Sequence, residues 1–281
     1  MGWKNLYQRA RKLLTSPILQ DSFHLLTITL LSLLLPLSFL LVARLSCVNY
    51  ILTITSNPSQ PSPSFLLSFY FYTNPAVLYV LVSAASIATL VHGLTGKIAF
   101  VNESPDVVYR PHLYIAWIVL YILQVSVGLG IEGSIVSGID GAGFGAERSL
   151  LSRVIFFLGL HEIMLLWFRT VVKPVVDDTI FGAVREERWI HRAAMALSIG
   201  TFWWWKLRDE VESLVVVAEA KKELSMDIEI ADFLSWWLYY LTVTIGMVRV
   251  VKALIWLGIV LLCRRVRRNN DETSEEDQDK V

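Results

Sequence analysis

The feature that most constrains this chain is the run 22–43, which contains no Asp, Glu, Lys or Arg. About 20 apolar residues in an α-helix cross a hydrocarbon layer roughly 30 Å thick. Pro36 lies inside the run, and a kinked helix survives in lipid because no solvent competes for the backbone groups. The run is also longer than the apolar part of a secretory signal peptide. We therefore predict a retained membrane span over 23–42.

Five further stretches have the low charge that a membrane span requires. They cover 77–95, 113–128, 154–172, 190–206 and 233–263. Within 190–206 only the 13 residues 193–205 are free of charge, so the stretch crosses a membrane only if the side chains of Arg192 and Lys206 extend to opposite faces. The sequence thus predicts an all-α integral membrane protein with about six transmembrane helices, or five if 190–206 lies at the surface.

The composition agrees with a membrane protein and excludes several other classes. Hydrophobic residues make up 54% and charged residues 18%, with mean hydropathy +0.53, unlike a soluble domain. The 25 Lys+Arg balance the 25 Asp+Glu, so no basic field attracts nucleic acid. Cys47 and Cys263 are too few for a disulfide framework, and no Cys/His spacing of a zinc site occurs.

The distribution of basic residues predicts the orientation. Four Lys or Arg precede the first span and four Arg follow the last, so both termini are expected in the cytoplasm. With six spans, sixteen Lys+Arg lie on the cytoplasmic side and seven on the other, while Arg249 and Lys252 lie within the membrane. A five-span arrangement would place one of the two basic ends on the wrong side.

These expectations divide the chain into three parts. Residues 1–22 form a basic amphipathic cytoplasmic N-terminus, 23–263 form a polytopic helical membrane domain, and 264–281 form a basic and then acidic tail. The tail is poor in apolar residues, so we predict that it is disordered. It could bind a partner or simply keep the chain soluble.

Tryptophans mark the segment between the last two predicted spans. Trp203, Trp204 and Trp205 end the fifth span, and Trp236 and Trp237 begin the sixth. Aromatic rings settle at membrane interfaces, so these residues are predicted to form one lumenal belt. Between them, 207–232 contains eight acids and has apolar residues at helical spacing. We expect a solvated helix there.

Two motifs resemble catalytic or cofactor signatures but lack essential parts. Residues 128–133 match G-x-G-x-x-G, yet the preceding apolar run is too long for the strand that a dinucleotide site needs. His161 and Glu162 begin like a zinc-protease helix, but the second histidine four residues on is missing. No lipase elbow or nucleotide-binding loop occurs, so no motif supports an enzyme.

The strongest candidate site is a set of charged residues inside the predicted membrane domain. Glu162 and Arg249 lie near the middles of the fourth and sixth spans, where a charge facing lipid would be costly. We predict that they form an ion pair, with His161, Arg169 and Lys252 nearby. Two interpretations remain open: the gate or substrate site of a small transporter, or a pair that fixes helix register.

Histidines offer a second and weaker hypothesis. They lie near the cytoplasmic ends of four predicted helices, at His24, His92, His112 and His191. Imidazoles on facing helices can hold a b-type haem or a metal ion. Histidine is also common at helix ends for its mildly amphipathic character, so no cofactor or metal is expected.

The function expected from these observations is that of a non-enzymatic structural or partner-binding component of an endomembrane. A small-solute or ion transporter using Glu162 and Arg249 is the alternative. The expected partners are the lipid bilayer and other membrane proteins, bound through the helix bundle or the tail. The membrane is expected to be the endoplasmic reticulum, another endomembrane or the plasma membrane. An organellar membrane stays open because the acid-poor start resembles a presequence.

Overall fold

The computed structural model describes residues 17–55, 76–95, 111–136, 149–181, 189–202, 206–207 and 210–278. In these ranges the chain is helical and contains no strand. The α-helices are α1 Pro17–Ser32, α2 Leu34–Thr55, α3 Ala76–Thr95, α4 Pro111–Val136, α5 Leu150–Trp167, α6 Lys173–Val176, α7 Trp189–Phe202, α8 Ser213–Glu223 and α9 Ile230–Gln278. Two π-helical turns, Phe168–Val172 and Asp177–Phe181, flank α6 and continue the line of α5.

In the described ranges, four helical segments are long and apolar enough to cross a membrane. They are Asp21–Val48, Val77–Thr95, Leu150–Thr179 and Ile230–Arg267, and a shorter apolar helix covers Leu113–Gly128. The predicted span 190–206 is not among them, because α7 has 14 residues where about 20 are needed. Membrane association by several helices is therefore supported by length and composition.

The first of these segments is interrupted where proline chemistry requires it. The division between α1 and α2 falls at Leu33, three residues before Pro36. Pro36 has no N–H to donate to the carbonyl of Ser32, and its ring crowds that carbonyl. The ladder resumes when the N–H of Leu37 donates to the carbonyl of Leu33 at 3.1 Å.

The most extensive contact among the described helices joins α5 to α9. The helices are parallel, because Ser152 meets Tyr239 and Gly159 meets Gly246, both pairs at the same sequence offset. At the crossing, a Cβ on Gly159 would overlap the carbonyl of Thr242. Only glycine permits such a close backbone approach.

Helix α8 corrects one of the expectations from the sequence. The prediction of a solvated helix within 207–232 is wrong, because α8 packs against α2 and α9. Its buried side chains are Ser213, Leu214, Val215, Val217, Ala218 and Lys221. Three acids of the segment, Glu210, Glu212 and Asp232, pair with basic residues of the bundle, as described below.

Helix α9 has two unlike halves. In the packed half, residues 230–250, side chains such as Leu238 and Thr242 are fully buried. In the distal half, residues 251–267, every side chain is exposed except at the partly covered Gly258 and Val260. The helix backbone continues to Gln278. The predicted disorder of the tail stays a prediction, since side chains beyond 267 lie outside the described residues.

Candidate functional site

Three of the five predicted site residues come together where α5 and α9 cross. One guanidinium nitrogen, Nη1 of Arg249, lies 3.4 Å from Oε2 of Glu162 and 2.8 Å from Nδ1 of His161. The same nitrogen donates to the carbonyl of Leu158 at 3.3 Å. Because a guanidinium only donates, His161 accepts through Nδ1 and carries its proton on Nε2.

This central cluster is not sealed inside the bundle. The Arg249 and Glu162 side chains are 34% and 30% exposed. The other two predicted residues, Lys252 in the distal half of α9 and Arg169 in the first π-helical turn, are both exposed. Among the described residues, neither has an acid within ion-pair distance. The structure therefore divides the predicted site into one paired cluster and two separate cations.

A second cluster, which sequence reasoning missed, ties the turn before α8 to two other helices. Arg44 of α2 contacts both carboxylate oxygens of Glu210 at 3.2 Å. Arg153 of α5 likewise donates to both carboxylate oxygens of Glu212, with Nη2 3.2 Å from Oε2. Such fork-shaped pairs fix geometry as well as charge. The turn is thus held between α2 and α5.

A third cluster lies at the far end of the α5 line. Nε2 of His24 is 3.0 Å from Oδ1 of Asp177, and Nζ of Lys173 is 2.9 Å from Oδ2 of the same carboxylate. The His24 and Asp177 side chains are each only 3% exposed. Asp177 begins the second π-helical turn, and such turns are often found at functional sites.

The start of α9 holds a further buried ion pair. Nζ of Lys221 lies 2.7 Å from Oδ2 of Asp232, with the two side chains 3% and 6% exposed. The same oxygen accepts from the backbone N–H of Glu229 at 3.2 Å. The two charges neutralise each other, and the contact holds α8 against the first turn of α9.

Three hydroxyls connect α2, α3 and α9. Ser46, Tyr79 and Ser235 lie within 3.2 Å of one another and are buried. We call this part of the bundle the hydroxyl end, and the part around His24 and Asp177 the histidine end. Ser152 lies near the hydroxyl end, because its hydroxyl contacts that of Tyr239, one turn after Ser235. The helical line from Ser152 to Asp177 is about 37 Å long.

Among the described residues, the predicted histidines do not meet at a common ligand site. His24 is engaged by Asp177, while Nδ1 of His92 is buried without a hydrogen-bond partner in the described part of the chain. The side chains of His112 and His191 lie outside the described residues. Within the described ranges, no group of three His, Cys, Asp or Glu is arranged to hold a metal ion.

The predicted tryptophan belt can be described only in part. Trp203, Trp204 and Trp205 lie outside the described residues. Trp236 is exposed, with its ring 4.7 Å from that of Tyr240, whereas Trp237 packs against the core.

The arrangement distributes charge at three heights along the line of α5. Arg153 lies near its start, Glu162 near its middle and Asp177 near its end, each with a partner from another segment of the bundle. No protein-family model, curated protein or solved structure matches the chain. What these clusters can do is bind the helices to one another and hold charge at defined depths.

Proposed function

We propose that the chain crosses the membrane six times with both termini in the cytoplasm. The supporting observation is that three helices run in the same direction. Tyr79 meets Ser235 and Gly93 meets Val248, so α3 is parallel to α9, as α5 is. Between successive parallel spans the chain must return once through the bilayer. The segments available for the return are α4 and α7 with α8.

Labelling of single cysteines in sealed vesicles tests this topology. Position 225 follows α8 near the hydroxyl end and position 178 lies at the histidine end, and both are exposed. Cysteines placed there should react with an impermeant reagent on opposite faces of the membrane. Reaction on the same face would remove α7 and α8 as a return crossing.

We further propose that the protein is a non-enzymatic, partner-binding component of an endomembrane. The observation that carries this proposal is the contrast inside α9. The packed half is covered by α3, α5 and α8, whereas the distal half exposes Leu254, Trp256 and Leu261 on several faces. A contiguous apolar surface of this kind is typical of an interaction site or of contact with lipid.

Photocrosslinking distinguishes a protein partner from lipid as the neighbour of the distal half. A photoreactive residue at Leu254 or Leu261 in native membranes should give a discrete protein adduct. A photoreactive residue at Leu238, buried in the packed half, is the matched control and should crosslink only within the chain. If Leu254 and Leu261 yield lipid adducts alone, the partner-binding function is wrong.

A second candidate, transport of a small solute or ion, rests on a different observation. Charged side chains occur at three depths along one helical line, and ionisable groups inside a membrane often mark a pathway. The candidate pathway residues are Asp177, Glu162 and Glu212. If transport is the function, purified protein in liposomes should conduct a solute or ion, and Glu162→Gln should reduce that flux with little loss of folded protein.

A further inference from the structure

The position of Lys252 within the bundle follows from the register of α5 and α9. Ser152 pairs with Tyr239, Gly159 with Gly246 and Glu162 with Arg249, always at the same offset. Extending that offset by three residues places Lys252 level with Leu165. This level is halfway along the candidate span Leu150–Thr179. Lys252 therefore lies near the middle of the membrane domain.

At this depth the charge of Lys252 is not balanced by the described part of the bundle. It is exposed, and no acid of the described residues lies within ion-pair distance of it. Arg264 lies twelve positions later, about 18 Å along a helix, so the Lys252 side chain cannot reach the interface near the basic cluster. A lysine at the centre of a membrane helix is costly to insert. Such a residue is usually paired.

We propose that the distal half of α9 binds a transmembrane helix of a partner protein that carries an Asp or Glu near its midpoint. The proposal rests on the partner-binding function above and names the chemistry of the partner. The acid of the partner pairs with Lys252, and its apolar side chains pack along the stripe that Trp256 and Ile259 continue at helical spacing.

Other occupants fit less well. A second copy of the chain would bring another Lys252, and Glu162, the acid of the described residues that lies nearest in depth, already pairs with Arg249. An anionic lipid keeps its phosphate at the headgroup level, far from the depth of Lys252. An acid inside a neighbouring helix lies at the required depth and satisfies both charges where each would otherwise be costly.

A defined peptide tests the proposal with the full chain. The protein is reconstituted in phosphatidylcholine vesicles with a donor dye on the exposed Cys263, while Cys47 is buried. Acceptor-labelled leucine–alanine helices of about 20 residues carry Asp, Asn or Leu at the centre. We expect energy transfer with the Asp helix at about tenfold lower peptide density than with the Asn or Leu helix.

The variants separate charge recognition from folding. Lys252→Leu should abolish the preference for the Asp helix, and Lys252→Arg should keep it. Arg265→Leu removes an exposed cation beyond the apolar stretch of the same helix, and is the matched control that should keep the preference. Lys252→Asp should transfer the preference to a helix with a central lysine.

Several outcomes would overturn the proposal. One is equal binding of the three helices, and another is a preference that persists in Lys252→Leu. Lys252-dependent energy transfer between two labelled copies without peptide would identify a second copy as the occupant. Lys252-dependent enrichment of phosphatidylglycerol around the protein, without peptide preference, would identify a lipid. A protein photoadduct from Leu254 that survives Lys252→Leu would retain the partner-binding function and reject its charge chemistry.

Discussion

The two halves of α9 are both apolar, yet only one is packed. In the packed half, Gly246 lets the backbone of α9 touch that of α5, and Asp232 and Ser235 bond to neighbouring helices. In the distal half, Gly258 has nothing within 4 Å of where a Cβ would be. Apolar composition therefore predicts that a helix enters lipid. Small residues and polar groups at specific positions determine which part of the helix packs against another helix.

The largest effect is expected from breaking the ion pair at the start of the packed half. Asp232→Asn leaves the ammonium of Lys221 buried without its counter-charge, and removing one partner of a buried pair costs about 3–5 kcal/mol. Denaturant unfolding in mild detergent measures the loss. Lys222→Met is the matched control, because Lys222 is exposed on the same helix as Lys221. Equal effects of the two substitutions would contradict the contrast between buried and exposed charge.

The two glycines of α9 test the comparison directly. A methyl group at Gly246 would overlap the carbonyl of Ile155, so α5 and α9 must separate in Gly246→Ala. We expect a cost of about 2–3 kcal/mol, at the upper range for overpacking. Gly258→Ala should be neutral or slightly stabilising, since alanine favours helix by at most about 1 kcal/mol. Comparable thermal midpoints for the two variants would mean that the crossing does not hold the helices together.

Much of the helical architecture follows from sequence, because lipid demands long runs without charge. The four apolar segments and the interruption near Pro36 are predictable on that ground. The central cluster is also predictable in part, because an isolated charge in a membrane is costly and Glu162 is therefore expected to pair with a cation.

The second cluster was not predictable in the same way. Glu210 pairs with Arg44 across 166 residues and Glu212 with Arg153 across 59, distances at which composition carries no information. The sequence carries only an indirect signal for this cluster. One segment is rich in acids and also has an apolar stripe, and arginines border two of the apolar runs. The acids favour a solvated helix, whereas the apolar stripe around Leu214, which is buried, is the better indicator.

The central cluster should give an intermediate effect. Glu162→Gln removes the countercharge of Arg249, but both side chains are about one-third exposed, so we expect roughly 1–2 kcal/mol rather than the cost of a sealed pair. The exchange of charges, Glu162→Arg with Arg249→Glu, should recover part of the loss. Additive single-variant effects, within about 0.5 kcal/mol, would mean that the two residues are not coupled.

The smallest effect on stability is expected at Lys252, in the distal half of α9. Lys252 has no ion-pair partner in the described part of the chain, so Lys252→Leu removes no bond from the isolated bundle. Its unfolding free energy in detergent should stay within about 0.5 kcal/mol of the parent, as for substitutions at exposed positions without a partner. Arg249→Leu, one turn earlier on the same helix, should lose stability because it strands Glu162 and frees the carbonyl of Leu158. Lys252 is costly to insert into a membrane, so if it contributes nothing to the isolated fold, its charge is expected to be stabilised by a group outside that fold. A large loss of stability in Lys252→Leu would instead assign Lys252 to the packed half.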